Sequence, residues 1–417
     1  MTEDLQAPQS GGRKAALGFI FAAAVMDILA LGIIIPVLPQ LVRQFTHGDT
    51  AHAAEYFGLF GTVFGLMQFV CSPIIGALSD RFGRRPVLLV SIFGLGFDYL
   101  LMANAPTIGW LFVGRVIAGI TAASFSTASA YIADITPPER RAKSFGLIGA
   151  AFGVGFTVGP ALGGFLGHYD LRLPFWVAAG LALANGLYGL FVLPESLPKD
   201  RRARFNLAKA NPVGSFMLLR SHPQLLGLAS VLFLYYLAHQ VLQSTFALYT
   251  ADRYHWGPQM FGFNLMGIGI GNILVQTLVI GPFVARFGER GALYTGLTCG
   301  VIGFIIYATA ATPLQYWCGL PVFALMGLVQ PGYQGLMSRR VAPTEQGRLQ
   351  GANSGLMALA GIIGPELFTG VFAWSLRARG LVLGEGTAIY LAAAVLSVAL
   401  VIAAWVTARD REVVASA

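Results

Sequence analysis

Apolar runs of about twenty residues or more recur twelve times along this chain. They lie near residues 15–40, 57–78, 87–105, 109–133, 144–166, 174–193, 224–250, 258–284, 291–311, 314–337, 348–373 and 386–407. Each is long enough, as a helix rising about 1.5 Å per residue, to cross roughly 30 Å of hydrocarbon. Charged residues make up only 11% of the 417, whereas a soluble domain carries about a quarter, so a water-covered globule is excluded. The chain is read as an all-α, multi-pass membrane protein, and its 52 glycines suit helices that approach one another closely in lipid.

The net charge of +8 does not indicate nucleic acid, because the basic residues are not pooled in a polar domain. They cluster in alternate short loops: Arg13 and Lys14; Arg81, Arg84 and Arg85; Arg140, Arg141 and Lys143; Arg286 and Arg290; Arg339, Arg340 and Arg348; Arg409 and Arg411. The opposite loops hold Arg43, Arg172, Arg253, Arg377 and Arg379. The positive-inside rule then puts both termini in the cytoplasm, which requires an even number of spans. The long polar segment 194–223, with Lys199, Arg201, Arg202, Arg204 and Lys209, divides six runs from six, as a solvated linker or a contact for anionic lipid. The expected domains are residues 1–193, a cytoplasmic linker 194–223, and residues 224–417.

The halves repeat. A shift of 205 residues carries Gly76 onto Gly281, Arg81-Phe82-Gly83 onto Arg286-Phe287-Gly288, and Arg85 onto Arg290. It carries Pro138 onto Pro343, Gly146 onto Gly351, and Gly159-Pro160 onto Gly364-Pro365. One offset across separated segments, repeated in the same order, implies parallel six-helix bundles with a site between them near mid-membrane.

Ionisable residues inside apolar runs are costly and point to pairing or function. Asp98 and Arg115 fall at similar depth in runs 3 and 4, which suits an ion pair, structural or proton-linked. Asp27 lies mid-run in run 1. Glu366 follows Gly364-Pro365 deep in run 11, as a proton or cation site or as an outer-end residue. His239 in run 7 is either a hydrogen-bonded interior residue or a proton relay. Gln68, Gln243, Asn272 and Gln276 supply neutral polar positions for a ligand, with Phe64, Tyr235 and Tyr236 as apolar neighbours. Gly155, Gly159, Gly163 and Gly167 recur every four residues, a line for close helix packing within the first half, and Pro160 favours a kink there. In the turn after run 2, Asp80, Arg81, Arg84 and Arg85 are placed to pair with neighbouring helix ends and hold one conformation shut. Asp134, beside Arg140 and Arg141, suits a local salt bridge. Cys71, Cys299 and Cys318 lie in apolar runs without CxxC or Cys/His grouping, so neither a metal site nor a disulfide framework is expected. There is no HExxH, GxSxG or GxxxxGK[ST] arrangement, which speaks against an enzyme or an ATP-driven pump.

Taken together, these residues resemble the major facilitator superfamily. GALSDRFGRRPVLL (76–89) resembles its loop signature, and GVGFTVGPALGG (153–164) the signature of its drug–proton antiporters. MDILALGIIIPVLPQL (26–41), DYLLMA (98–103), FVGRVIAGITAAS (112–124) and LQGANSGLMALAGIIGPELFTG (349–370) narrow the likeness to the tetracycline–proton antiporters. That resemblance implies the major facilitator fold, twelve transmembrane helices with both termini inside, in the bacterial inner membrane. It implies a monomer that exports an amphipathic, tetracycline-like drug in exchange for protons by alternating access. No cofactor is implied, although a tetracycline would bring its own divalent cation. Asp80 and Arg84 become gating residues; Asp27, Gln68, Asp98, Arg115 and Gln276 become polar residues of the path. The sequence departs from the group where a helix 8 His is replaced by Asn272 and a helix 9 Asp by Gly300. Glu366 or His239 then stand as substitute proton sites. The competing expectation is a major facilitator transporter for another metabolite or drug, including an uncoupled facilitator.

Overall fold

A computed structural model of the chain describes residues 10–122, 125–136, 141–202, 223–341, 346–378 and 384–415. The expected apolar runs become helices, several longer than the runs. Apolarity marks only the part that matches hydrocarbon, while the hydrogen-bonded helix continues into polar turns. Thus α3 (Thr50–Phe82) begins seven residues before its run. Its cap explains the start: Asp49 accepts hydrogen bonds from the Ala51 and His52 amides at 2.9 and 3.0 Å, filling two of the unpaired N–H groups of the first turn. The amide and ring of His52 hold the Asp49 carboxyl below the usual carboxylate range.

Other runs are interrupted. The first divides into α1 (Ser10–Ile34) and α2 (Leu38–Phe45). Pro36 between them has no N–H to donate. Next come α4 (Arg84–Ala103), α5 (Ile108–Ala122), α6 (Phe125–Ile135), α7 (Arg141–Tyr169) and α8 (Leu173–Val192). The second half supplies α9 (Pro223–Ser244), α10 (Phe246–Tyr254), α11 (Pro258–Leu274), a π turn at Val275–Val279, and α12 (Ile280–Thr309). It continues with α13 (Pro313–Ala324), a 3-10 turn at Leu325–Leu328, α14 (Val329–Ser338), α15 (Gln346–Arg377) and α16 (Thr387–Ala415). Among the described residues nine helices are long and apolar enough to cross a membrane, one of them the 52-residue stretch Pro258–Thr309. That stretch is broken at Gly288, whose φ is 70°. Gly83, its counterpart at the 205-residue shift, also has positive φ, 107°, a backbone that favours glycine at both places.

Two kinds of packing organise these helices. Within the first half, α1 packs on α7 and α8, and α4 on α5 and α8; within the second, α9 packs on α15 and α16, and α12 on α14 and α16. Across the halves, α3 packs on α15 and α7 on α11. The shift that carries α3 toward α11 also carries α7 onto α15, so the two cross-half seams are copies with the roles exchanged.

The end opposite Gly83 and Gly288 is stitched by arginines. The Arg172 guanidinium donates to the carbonyls of Ala103 and Ala105, both at 2.9 Å, at the end of α4. Arg253 donates to the Ala310 carbonyl at 2.8 Å, past the end of α12. Helix ends leave such carbonyls unpaired, so these arginines serve the fold on the side where basic residues are otherwise sparse. Arg172→Ala is expected to lower stability by about 1.5–3 kcal/mol, the worth of hydrogen bonds to a charged group, read as a drop in thermal unfolding temperature in detergent.

Candidate functional site

The two cross-half seams close one end of the molecule and diverge toward the other. On α3, Gly58, Gly61 and Gly65 face Thr369, Pro365 and Gly361 of α15. A methyl group on Gly61 would lie 2.7 Å from Pro365 Cβ, and one on Gly65 2.8 Å from the Gly361 carbonyl oxygen. Thr62 donates to the Ile362 carbonyl at 2.8 Å. Farther out, Arg377 donates to Glu55 at 2.6 Å, and Thr50 to Asp252 at 3.4 Å. On α7, Gly164 meets Pro258, Gln259 and Gly262 of α11, and Thr157 meets Gly269. One turn nearer the Gly83 end the contact has loosened, with the Ile273 side chain 4.0 Å from a methyl placed on Gly153. Beyond these levels Leu66, Val70, Ile270, Ile273 and Leu274 are exposed. The cross-half contacts therefore loosen toward Gly83 and Gly288.

The glycine line in α7 carries two duties. Gly155, Gly159 and Gly163 lie against Ile28, Gly32 and Ile33 of α1, the expected seam within the first half. Pro160, inside α7, turns its carbonyl to Gly262 of α11. Gly167 touches Val37 and Pro258. The sequence pattern showed one stripe; the helix spends its other face on the opposite half.

The polar heart of the first half forms where α1, α4, α5 and α8 meet. Asp98 is fully buried. The Arg115 Nη2 is 4.0 Å from its Oδ2, so the expected pairing is found. Among the described residues neither Asp98 oxygen has a hydrogen-bond partner, and Arg115 Nη2 donates to the Met102 sulfur at 3.1 Å. Asp27, half-buried on α1, accepts from Asn185 Nδ2 at 2.9 Å. Next to Asp98 in the chain, the Tyr99 side chain is buried too, and its hydroxyl has no hydrogen-bond partner among the described residues. Asn185 and Tyr99 were not singled out in the sequence. Asn185 carries no charge, and its role depends on α8 lying against α1.

The remaining candidates are dispersed. Gln68 is half-buried on α3, and Gln243, Asn272 and Gln276 are exposed, Gln276 within the π turn. His239 is half-buried with its ring 6.2 Å from that of Tyr235. Glu366 is exposed on α15, its carboxylate over Gly58 at the cross-half seam. Gly300 is packed tightly: a methyl there would lie 2.6 Å from Leu396 Cδ2 and 2.8 Å from Met326 Sδ. A side chain at that position would have to displace the ends of Leu396 and Met326.

At the Gly83 end, Arg84 gathers the acids of the turn. It donates to Asp80 at 2.5 Å, Ser79 at 2.6 Å and Asp134 at 3.2 Å. Its amide donates to Glu195 at 2.9 Å, and Ser196 donates to Asp134 at 3.2 Å. Arg81 stacks on Phe82 at 5.0 Å. Of the two partners expected for Asp134, Arg140 lies outside the described residues, as does the Arg141 side chain. In the second half Arg339 donates to Glu289. The 205-residue shift carries Arg84 onto Glu289 and Asp134 onto Arg339, so the second half repeats the pair with its charges exchanged. The shift itself held that signal.

Helices of membrane length, a repeat whose halves pack on one another and a buried acid–base pair within the first half describe a membrane transporter. The Major Facilitator Superfamily model matches residues 20–365, and the chain belongs to that superfamily. It is 40% identical to the class C tetracycline resistance protein of Escherichia coli, over 90% of this chain and 94% of that one. It is 36% identical to the class G tetracycline resistance protein of Vibrio anguillarum, over 84% of this chain and 88% of that one. The crystal structure of the human organic anion transporter MFSD10 (TETRAN) superposes with a TM-score of 0.69 at 24% identity, covering 95% of this chain and 100% of that one, a likeness of fold.

Proposed function

We propose that this chain exports a tetracycline-like drug across the bacterial inner membrane in exchange for protons. The observation that carries the reading is Asp98, a carboxylate sealed inside a membrane bundle, with Arg115 4.0 Å away as its counter-charge. Such a group changes the charge of the bundle whenever it takes or loses a proton, and so biases one conformation over another. Its setting within a chain 40% identical to a tetracycline resistance protein supports the drug as cargo.

In this reading the protein has twelve spans. The nine long apolar helices become twelve when Pro258–Thr309 is divided at Gly288, and when Arg141–Tyr169 and the interrupted Pro313–Ser338 are added. The Gly83 end, with Arg81, Arg84, Arg85, Arg286, Arg290, Arg339 and Arg340, faces the cytoplasm under the positive-inside rule, and both termini lie there. Residues 1–193 and 224–417 move as two bundles joined by 194–223, in a monomer. The structure then stands open to the cytoplasm. Drug enters between the halves past Gln68, Asn272 and Gln276, with its own divalent cation where it is a chelating tetracycline. Asp80, Arg84 and Asp134 brace the cytoplasmic end of the first half as the gate there opens and closes. Asp98 with Arg115, and Asp27 with Asn185, carry the proton. Glu366 and His239 stand as secondary proton sites.

Expression in a pump-deficient host is expected to raise resistance to tetracyclines within a drug panel. Inverted membrane vesicles holding the protein should accumulate tetracycline while acid inside, and should stop when a protonophore collapses the gradient. Unchanged susceptibility to every drug tested would overturn the export reading; accumulation that survives the protonophore would make the protein an uncoupled facilitator.

A further inference from the structure

The second half contains a cavity of about 210 Å³ between α9, α14 and α15. It is lined by Gln330, Tyr333 and Gln334 of α14 and by Gln350, Asn353 and Ser354 of α15. These positions follow an i, i+3, i+4 spacing on each helix, so each presents one polar stripe, and Tyr236 of α9 completes the wall. Among the described residues no charged side chain lines it. Polar side chains at membrane depth are retained where they face a cavity or one another.

Helix packing does not require these groups. The 205-residue shift places Phe145, Ile148 and Gly149 where α15 has Gln350, Asn353 and Ser354, and Phe125 and Ala128 where α14 has Gln330 and Tyr333. Gln334 falls on Ser129, so five of the six equivalent positions of the first half carry no polar side chain.

Two hydrogen bonds set the character of the wall. Tyr333 donates its hydroxyl to Asn353 Oδ1 at 2.9 Å, and Tyr236 donates to Gln330 Oε1 at 3.3 Å. With the amide oxygens occupied by phenols, the amide NH₂ groups remain as donors. Tyr333 and Asn353 are buried, whereas Gln330, Gln334, Gln350 and Ser354 are exposed, so the wall opens at its rim. At about 210 Å³ the cavity is smaller than the roughly 300 Å³ at which whole-ligand pockets begin, and it admits one edge of a drug-sized molecule.

We propose that this cavity is a subsite for an uncharged, oxygen-acceptor-rich edge of the substrate, such as the row of keto, enol and phenol oxygens on a polycyclic drug, held by the amide donors of Gln330 and Asn353. The proposal rests on reading the protein as a drug exporter and adds where and by which groups the drug is held. It assigns recognition by neutral donors to the second half, apart from the ionised groups of the first.

The test measures binding of tetracycline, with EDTA present, to purified full-length protein, beside ethidium as a planar cation with no such row of oxygens. Gln330→Leu and Asn353→Leu are expected to weaken tetracycline binding at least tenfold and leave ethidium binding within twofold. Ser354→Cys, a small change at the rim, keeps the proposal testable if either leucine variant fails to fold: tetracycline should slow maleimide labelling at position 354, read by mass spectrometry, and ethidium should not. Equal loss of both ligands, undiminished tetracycline binding, or labelling at 354 indifferent to tetracycline would overturn the subsite. Wild-type protein that exports tetracycline while failing these tests would sink the subsite alone, whereas wild-type protein that neither binds nor exports any drug would sink the export reading.

Discussion

Asp98→Asn is expected to abolish gradient-driven drug export while substrate counterflow, which needs no net proton movement, continues. The substitution keeps shape and removes the ability to ionise. Asp98 is fully buried, and Arg115 lies 4.0 Å from it with its side chain 11% exposed. Removing one member of such a pair leaves the other charge buried without compensation, at a cost of about 3–5 kcal/mol. Lost export from Asp98→Asn alone would therefore mix instability with lost coupling. The double variant Asp98→Asn/Arg115→Gln separates them, because it removes both charges. Its thermal stability should return to within reach of the parent, and its proton-driven export should stay absent. Vesicle uptake and thermal unfolding measured on the same preparations decide the matter; wild-type export by the double variant would refute the role of Asp98.

The second large effect is conformational. Gly164→Val should shift the protein away from the state described here. A methyl on Gly164 would overlap the Pro258 carbonyl oxygen and lie 3.1 Å from the Gln259 and Gly262 Cα atoms. All three are backbone atoms, so no rotamer relieves the clash. Overpacking of this kind costs about 1–3 kcal/mol. Because the clash exists only while α7 and α11 are together, it acts on the balance of states, shifting it about five- to 150-fold. Spin labels at Thr46→Cys and His255→Cys, near the ends of α2 and α10, should report a growing population at longer distance, with export reduced. Gly159→Val makes the contrast. Its side chain would meet Gly32 and Leu29 of α1 within the same half, so it should lower thermal stability without a new distance. Gly180→Ala, whose methyl would meet nothing within 4 Å, should change neither.

The helices and their repeat were legible because burial in lipid imposes one demand on every span, and hydropathy records it directly. The meeting of Asp98 with Arg115 was legible too, since depth in a bilayer follows from counting along two helices. What escaped depended on which helix stands beside which. Asn185 acquires meaning only when α8 lies against α1 and donates to Asp27. The line Gly58, Gly61 and Gly65 is one of many among 52 glycines until α15 is seen across from it. Gln350, Asn353 and Ser354 were equally visible, but a polar stripe is read as a wall only when a second stripe faces it. The helix ends escaped for another reason: α3 starts at a capping aspartate in a polar segment, where hydropathy is silent.

The exchanged charge pairs carry a kinetic consequence. Arg84 with Asp134 and Glu289 with Arg339 each close within one half, so parting the halves at that end leaves both pairs intact. At the other end Arg377 grips Glu55 across the halves, with both side chains exposed by more than two-fifths. The two strokes of a transport cycle therefore answer differently to salt. Mobile ions screen exposed charges over about 8 Å at physiological strength, so a saltier medium eases the stroke that releases Glu55 from Arg377, whereas the Arg84–Asp134 and Glu289–Arg339 pairs need not break in either stroke. The machine has one gate whose friction the medium can tune and another whose electrostatics travel with it.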